Sequence, residues 1–359
     1  MVKVGLDARP LSTPLSGVGR LISEILKAYP DKKNVRFYCF SHKPLHSDHQ
    51  NLAKEPHLEF PKNGGFYKIK GGIYYNVFVP YLVRKWNLDV FWGSQQVLPP
   101  FLPRALPAFL TFHDLLLYRF PNTMRGIARL QQKIFQSYSV NRSRFILCNS
   151  KTTQNEMCHH FQYPKEMTSI TYPAVQKNWI VESRKKPRKP PYLLAVSTIE
   201  PRKNYSFLLS VYKLWKERHP EFEFLIVGKK GWEKQSMFEE LVSEKGISLI
   251  SGANDYELQK IYEEASLFLF ASLYEGFGIP LIEAMCKKIP CVVSDIGTFQ
   301  EIAQGMFPCL PSSIGRDESK WMEAMEKVLS SKKTNYNLKR FSWEQAAKTT
   351  HETIQRLSI

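Results

Sequence analysis

The sequence predicts an α/β chain of two Rossmann-like domains, on three observations. Short apolar runs alternate with stretches of helical periodicity along nearly all of the 359 residues. One basic, proline-rich segment interrupts that alternation near the middle. The length and the 43% apolar content suffice for two ordinary domains of this class.

In order, VKVGLDA, VRFYCF, DVFWGS, AFLTFH and RFILCNS read as short buried strands, and residues 19–28 and 125–141 as helices. They make a first domain over residues 1–182. Residues 183–190, rich in Lys, Arg and Pro, read as a linker. LLAVST, FEFLIVG, SLISG, LFLFAS and CVVSD are the strands expected of a second domain over 191–340, and residues 341–359 form a terminal helical segment.

Nothing in the chain is long and apolar enough to span a bilayer. The best candidate, around 261–270, is broken by Glu263 and Glu264, and MVKVGLDARP reads as a strand without a secretory pattern. A cytoplasmic protein is expected. The six cysteines show no CxxC spacing and several lie in strand-like runs, as reduced core thiols do, so neither a disulfide nor a zinc site is expected. His159 and His160 have no carboxylate or cysteine partner at ligand spacing.

Charge is unevenly distributed. Residues 1–180 hold 24 Lys and Arg against 10 Asp and Glu, and the remainder holds 26 against 23. Within the first domain KNGGFYKIKGGIYYNVFVPYLVRK interleaves aromatic residues with Lys68, Lys70, Arg84 and Lys85, a composition suited to an anionic membrane surface. The alternative is a basic loop followed by an ordinary helix packed through Val79, Leu82 and Val83. No nucleic-acid-binding signature accompanies the charge.

Two loops concentrate the polar chemistry. In LYEGFGIPLIEAMCKKIP, residues 273–290, Gly276, Phe277 and Gly278 form a turn whose glycines let the backbone approach a ligand, and Pro280 suits the first turn of a helix beginning near Leu281. Glu275 before that helix and Glu283 in its first turn can accept hydroxyl protons of a polyhydroxylated ligand; a solvated Glu275 and a dipole-complementing Glu283 are the plainer reading. PYLLAVSTIEPRKNYSFLLS reads as strand, loop and a helix carrying Leu208, Leu209 and Leu214. Its loop holds Arg202, Lys203 and Asn204 at the carboxyl end of a parallel strand, where ligands of open α/β sheets bind and where an Arg–Lys pair suits a diphosphate.

Two further candidates lie in the first domain. STPLSGVGR, residues 12–20, opens a helix, and its backbone at Gly17 and Gly19 can approach a phosphate, unless it is a plain turn. As a dinucleotide fingerprint it fails, because Ile22 stands where the third glycine is required. That removes the main support for a nicotinamide-dependent dehydrogenase. His113 and Asp114 close an apolar strand; the histidine is a candidate for catalysis and the aspartate for a helix cap.

Taken in order, STIEPRKN, FLIVGKKGW, SLYEGFGIPLIEAM, CVVSD and FSWEQAA resemble the nucleotide-sugar half of retaining family-4 glycosyltransferases with the GT-B fold, and LDARPL, SGVGR and FHDL fit its other half more loosely. The resemblance implies two Rossmann-like domains facing a central cleft, with the segment from Trp343 to Leu357 crossing back to the first. It implies transfer of a hexose from a nucleoside diphosphate sugar, with Arg202 and Lys203 on the diphosphate, Glu275 on the sugar, Glu283 on the ribose, Gly17 and Gly19 in a loop closing over the diphosphate, and His113 beside the sugar. No protein base is implied. The arginine that many relatives carry six residues before the lysine is Ser197 here, which leaves Arg202 as the loop's one arginine.

No Asp-x-Asp sequence is present, and neither a cofactor nor a divalent metal is expected. The spelling is closest to bacterial surface-polysaccharide mannosyltransferases, which implies GDP-mannose as donor, with UDP-hexoses and deoxysugar donors as alternatives. The implied acceptor is a lipid-linked or lipopolysaccharide glycan, met on the inner face of the plasma membrane. A non-catalytic basic protein binding membrane or nucleic acid is the competing class; it leaves the glutamates and the Arg–Lys pair unexplained. Oligomeric state stays open.

Overall fold

Thirteen short segments become, among the described residues, the strands of two wholly parallel sheets. The computed structural model describes residues 1–61, 70–121, 126–181, 186–331 and 336–358. It divides into two units, Met1–Ala174 with Arg340–Ile359, and Val175–Lys339. Of the expected linker, residues 183–185 lie outside the described residues. Its described remainder groups with the second unit, where the Arg188 N–H donates to the Glu264 carbonyl at 3.0 Å.

The first unit holds β1 (Val2–Asp7), β2 (Val35–Phe40), β3 (Leu58–Glu59), β4 (Val90–Gly93), β5 (Ala108–Phe112), β6 (Phe145–Cys148) and β7 (Thr168–Ile170), in the order β3-β2-β1-β4-β5-β6-β7. Residues of β4, β5 and β6 are all buried, as strands covered on both faces must be. Helix Gly17–Lys27 buries Leu21, Ile22, Ile25 and Leu26 and packs against helix Trp343–Leu357. Between them the Tyr29 hydroxyl lies 3.0 Å from His351 Nδ1. The last helix therefore belongs to the first unit although it follows the second in sequence.

The second unit holds β8 (Tyr192–Val196), β9 (Glu223–Val227), β10 (Ile247–Ile250), β11 (Leu267–Phe270), β12 (Cys291–Ser294) and β13 (Cys309–Leu310), in the order β10-β9-β8-β11-β12-β13. Helix Tyr205–Arg218 covers β8 and β9 with Tyr205, Leu208, Tyr212 and Trp215, and Trp321 and Met325 of helix Glu318–Ser330 complete that core. Leu214, expected on the apolar face, is instead 38% exposed, because the buried stripe runs one position further along through Trp215. The short strands β3, β7 and β13 are too brief to show as apolar runs and escape the sequence reading. Among the described residues no helix is long and apolar enough to cross a membrane.

Gly228, which follows β9, lies where two backbones nearly touch: a Cβ there would stand 1.9 Å from the Ser197 carbonyl oxygen. Backbone cannot swing aside as a side chain can. Gly228→Ala is expected to cost about 3 kcal/mol, the upper range for overpacking, read as a lowered urea midpoint. An unchanged midpoint would show that the loop after β8 yields freely.

Candidate functional site

In the second unit the strand order reverses between β8 and β11, which pair side by side, and the loops leaving their carboxyl ends bring the charged residues together. After β8 comes a single 3-10 turn, Pro201–Lys203, whose leading proline presets the backbone and whose missing N–H costs nothing at that position. Asn204 then takes the left-handed conformation, with φ 57°, and turns the chain into helix Tyr205–Arg218. Asparagine tolerates this better than most residues. Its side-chain amide donates to the Ser312 carbonyl at 2.9 Å. The Leu273 N–H, after β11, donates to the Arg202 carbonyl at 2.7 Å and clamps the two loops to each other.

Glu275 stands at the centre, 8% exposed. Its Oε1 accepts from Lys203 Nζ and, at 2.7 Å, from the Ser272 hydroxyl. Its Oε2 accepts from Arg202 Nη1 at 2.9 Å. A carboxylate offers about four lone-pair positions, so three are taken and one remains. Lys203 uses one of its three N–H groups here and lies 5.1 Å from the centre of the Phe270 ring. Arg202 Nη1 also donates to the Tyr274 carbonyl at 3.1 Å, and its Nε lies 2.5 Å from Glu200 Oε1. Glu200 Oε2 in turn accepts from the Trp232 indole N–H at 2.7 Å. Two cations thus face two carboxylates.

Burial works to raise the pKa of Glu275, but Lys203 and Arg202 outweigh it and hold the carboxyl below its ordinary value. Burial lowers the pKa of Lys203, Arg202 adds to that, and Glu275 offsets part of it. The Glu275 carbonyl is fixed as well, accepting from the Thr298 hydroxyl at 2.7 Å.

The glycine turn is built differently from the sequence expectation. Gly278 caps helix Ile279–Cys286 with φ 115°, a conformation unfavourable to any residue with a Cβ, and a Cβ there would meet the Phe299 ring at 2.8 Å. Gly276 and Phe277 are buried just before it. The helix starts two residues earlier than Leu281, which moves Glu283 from the first turn to the second. There it is 4% exposed, and its Oε2 accepts from the Tyr262 hydroxyl at 2.9 Å.

The remaining candidates belong to the first unit. Gly17 and Gly19 are not a free loop but the first turn of helix Gly17–Lys27, and the Gly19 N–H donates to the capping Ser16 hydroxyl at 3.1 Å. His113 lies buried after β5, its Nε2 2.7 Å from the Ser94 carbonyl. A carbonyl only accepts, so Nε2 carries the proton and Nδ1 is the acceptor in the neutral ring. Burial keeps the imidazole below its ordinary pKa, the Ser94 carbonyl and Asp114 offsetting only part. Asp114 Oδ1 accepts from the Leu116 N–H at 2.9 Å, as a local turn cap. Lys70, Arg84 and Lys85 are exposed, and Lys68 lies outside the described residues.

Sequence reasoning passed over Glu200, Trp232, Ser272, Thr298 and Tyr262. It also missed fully buried Asp7 at the end of β1, whose carboxylate pairs twice with Arg9 at 2.8 Å. The Asp-x-Arg spacing at a strand end was the one signal available. Ser197 pairs its hydroxyl with that of Tyr205 at 2.8 Å. Among the described residues no group of three or more His, Cys, Asp or Glu is placed to hold a metal ion.

Glu275→Ala strips buried Lys203 and partly buried Arg202 of their shared partner and is expected to cost about 3 kcal/mol in urea unfolding. Because the folded-state pKa is depressed, the stabilisation is complete above the unfolded value of about 4.3 and disappears as pH falls through the folded value. The midpoint gap between the native protein and Glu275→Gln should stay constant from pH 7 to about 5 and narrow below about pH 4. A gap independent of pH would mean that Glu275 carries no such charge.

Comparison with known proteins identifies the family. Residues 15–179 match the family model described as glycosyltransferase family 4, and residues 176–345 match that described as glycosyl transferases group 1. O-antigen chain mannosyltransferase B of Escherichia coli is 25% identical over 331 residues, covering 84% of this chain and 84% of that protein. O-antigen chain mannosyltransferase RfbU of Salmonella typhimurium is 26% identical over 259 residues, covering 68% of this chain and 70% of its own length. The serotype-specific mannosyltransferase WbdA of Escherichia coli is 34% identical over 166 residues, 44% of this chain but only 20% of that longer protein. Anabaena HepE, solved with UDP and glucose, superposes with a TM-score of 0.71 over 99% of this chain and 100% of that one, at 16% identity. WaaG, described as a glycosyltransferase involved in lipopolysaccharide biosynthesis, superposes with a TM-score of 0.63 at 16% identity, covering 99% and 98% of the two chains. Two consecutive family models account for residues 15 to 345, and the chain belongs to the family-4 glycosyltransferases of GT-B fold.

Proposed function

We propose that this glycosyltransferase moves a mannosyl residue from GDP-mannose to a growing O-antigen or other lipopolysaccharide glycan, with retention of anomeric configuration. The observation that carries the reading is the Lys203–Glu275–Arg202 cluster at the reversal of strand order. Mannose and the acceptor class are supported by the names of the O-antigen mannosyltransferases that the chain resembles over most of its length.

The reaction breaks the bond between the anomeric carbon and the diphosphate, so negative charge grows on the leaving oxygen. Lys203, with two N–H groups uncommitted, and Arg202 beside it supply the opposing charge. One well-placed donor of this kind is worth about 3 kcal/mol of barrier. The last lone-pair position of Glu275 accepts one sugar hydroxyl, which orients the ring without attacking it. Glu283, steadied by Tyr262, accepts from the ribose. The acceptor proton passes to the leaving phosphate, so no side chain is assigned as base. Because side chains answer the diphosphate charge, the activity needs no divalent ion. Roles for His113, Gly17 and Gly19 rest on the family resemblance alone.

Titration calorimetry with GDP, UDP and dTDP in the presence of EDTA tests donor and metal together. GDP alone should bind. Preference for UDP or dTDP would replace the mannose assignment, and binding restored only by magnesium would overturn the metal-free reading. Lys203→Ala should weaken the preferred nucleoside diphosphate about 10- to 100-fold, the worth of one hydrogen bond to a charged group. Unchanged affinity in a folded variant would remove Lys203 from the diphosphate.

A further inference from the structure

The loop that follows β9 reaches the charged cluster with an uncharged side chain. Two backbone bonds lay it against the loop after β8: the Ile199 N–H donates to the Lys229 carbonyl at 3.0 Å, and the Gly231 N–H donates to the Ile199 carbonyl at 2.9 Å. A Cβ on Gly231 would stand 2.9 Å from that same carbonyl oxygen, so the close approach needs glycine. Trp232, the next residue, is thereby carried beside Glu200, and its indole N–H donates to Glu200 Oε2 at 2.7 Å. Trp232 is 41% exposed, so burial in the core does not account for its place.

An indole is a donor only, with one N–H, and this one fixes one oxygen of Glu200 and with it the rotation of the carboxylate. The other oxygen, Oε1, lies 2.5 Å from Arg202 Nε. A glutamate side chain otherwise has much rotational freedom to lose. Arg202 is in this way held on two edges, at Nε by Glu200 and at Nη1 by Glu275 Oε2 and the Tyr274 carbonyl. A planar guanidinium gripped on one edge can pivot; gripped on two, it is aimed.

Charge separates the two supports. Glu275 neutralises the cations, whereas Trp232 adds no charge and acts only on where the Glu200 carboxylate stands. That position matters to an incoming anion. A carboxylate beside a phosphate site competes with the phosphate for the guanidinium unless it is held off the approach. With Oε2 drawn to the indole, part of Glu200 is turned toward the loop after β9.

We propose that Trp232 is a positioning residue, which through Glu200 sets the angle at which Arg202 meets the donor's diphosphate. The inference rests on the diphosphate reading of Arg202.

Trp232→Phe tests it, since the change alters no charge and keeps an aromatic ring. The probe for titration calorimetry is whichever of GDP, UDP and dTDP the native chain binds most tightly, in the presence of EDTA. The variant should bind it about three- to tenfold more weakly, the worth of one typical hydrogen bond. Glu200→Gln loosens Arg202 but also removes a repelling charge, so it serves as a background only. There the path to Arg202 is already cut, and adding Trp232→Phe should cost less than about twofold more. Among the indole proton signals of the seven tryptophans, the one missing from Trp232→Phe should move upfield in Glu200→Gln, where a neutral acceptor replaces the carboxylate.

Unchanged affinity in Trp232→Phe, or an indole signal that Glu200→Gln leaves in place, would overturn the proposal. Equal losses in the two backgrounds would overturn it too, and would make Trp232 a direct contact of the nucleotide. If the native chain bound none of the three nucleotides, the diphosphate reading would fall and the proposal with it. The indole signal tells the two failures apart, because it reads the contact between Trp232 and Glu200 with no nucleotide present.

Discussion

The buried carboxylate of Glu275, shared by Lys203 and Arg202, is the interaction on which the loops after β8 and β11 depend. Neither half is tenable alone. Two neighbouring cations at 8% and intermediate exposure repel each other and lose hydration, and a carboxylate at 8% exposure without partners would take up a proton. Together, and with Glu200 against Arg202, they form a cluster of zero formal charge that can stay folded. Backbone contacts hold the geometry: Leu273 to Arg202 across the loops, and Thr298 to the Glu275 carbonyl.

That arrangement also sets what a ligand meets. Glu275 keeps the two cations in place before any anion arrives, so little side-chain entropy is left to lose on binding. An anion reaching Lys203 need not displace the carboxylate, because Lys203 keeps two donors. The limit falls instead on Glu275, which retains a single acceptor position and can fix one hydroxyl rather than grip a ring from two sides.

What was legible in the sequence follows the range of the interactions. The long strands show as apolar runs because parallel strands are covered on both faces, and the strand-to-loop boundaries put Arg202, Lys203 and Glu275 at strand ends without any knowledge of partners. Glu283 shows the opposite case. Local rules start its helix at Leu281, but Gly278 can take φ 115° and cap two residues earlier, and the hydroxyl that holds Glu283 comes from Tyr262, 21 positions away. Glu200 and Trp232 are 32 apart, and nothing in either segment announces the other. The resemblance implies a loop at Gly17 and Gly19, yet the Ser16 cap and the apolar face of residues 21–26 draw both into the first turn of a helix.

The excess of positive charge lies apart from the charges gathered around Glu275. In the second unit Arg202 and Lys203 are matched by the protein's own carboxylates, and the residues after 180 carry almost as many acids as bases. A diphosphate site does not call for a basic domain. The imbalance lies in residues 1–180, and half of it sits on residues 70–85, 97–106 and 126–142, which lack acidic residues altogether. The basic excess and the Glu275 cluster are carried by different units of the chain.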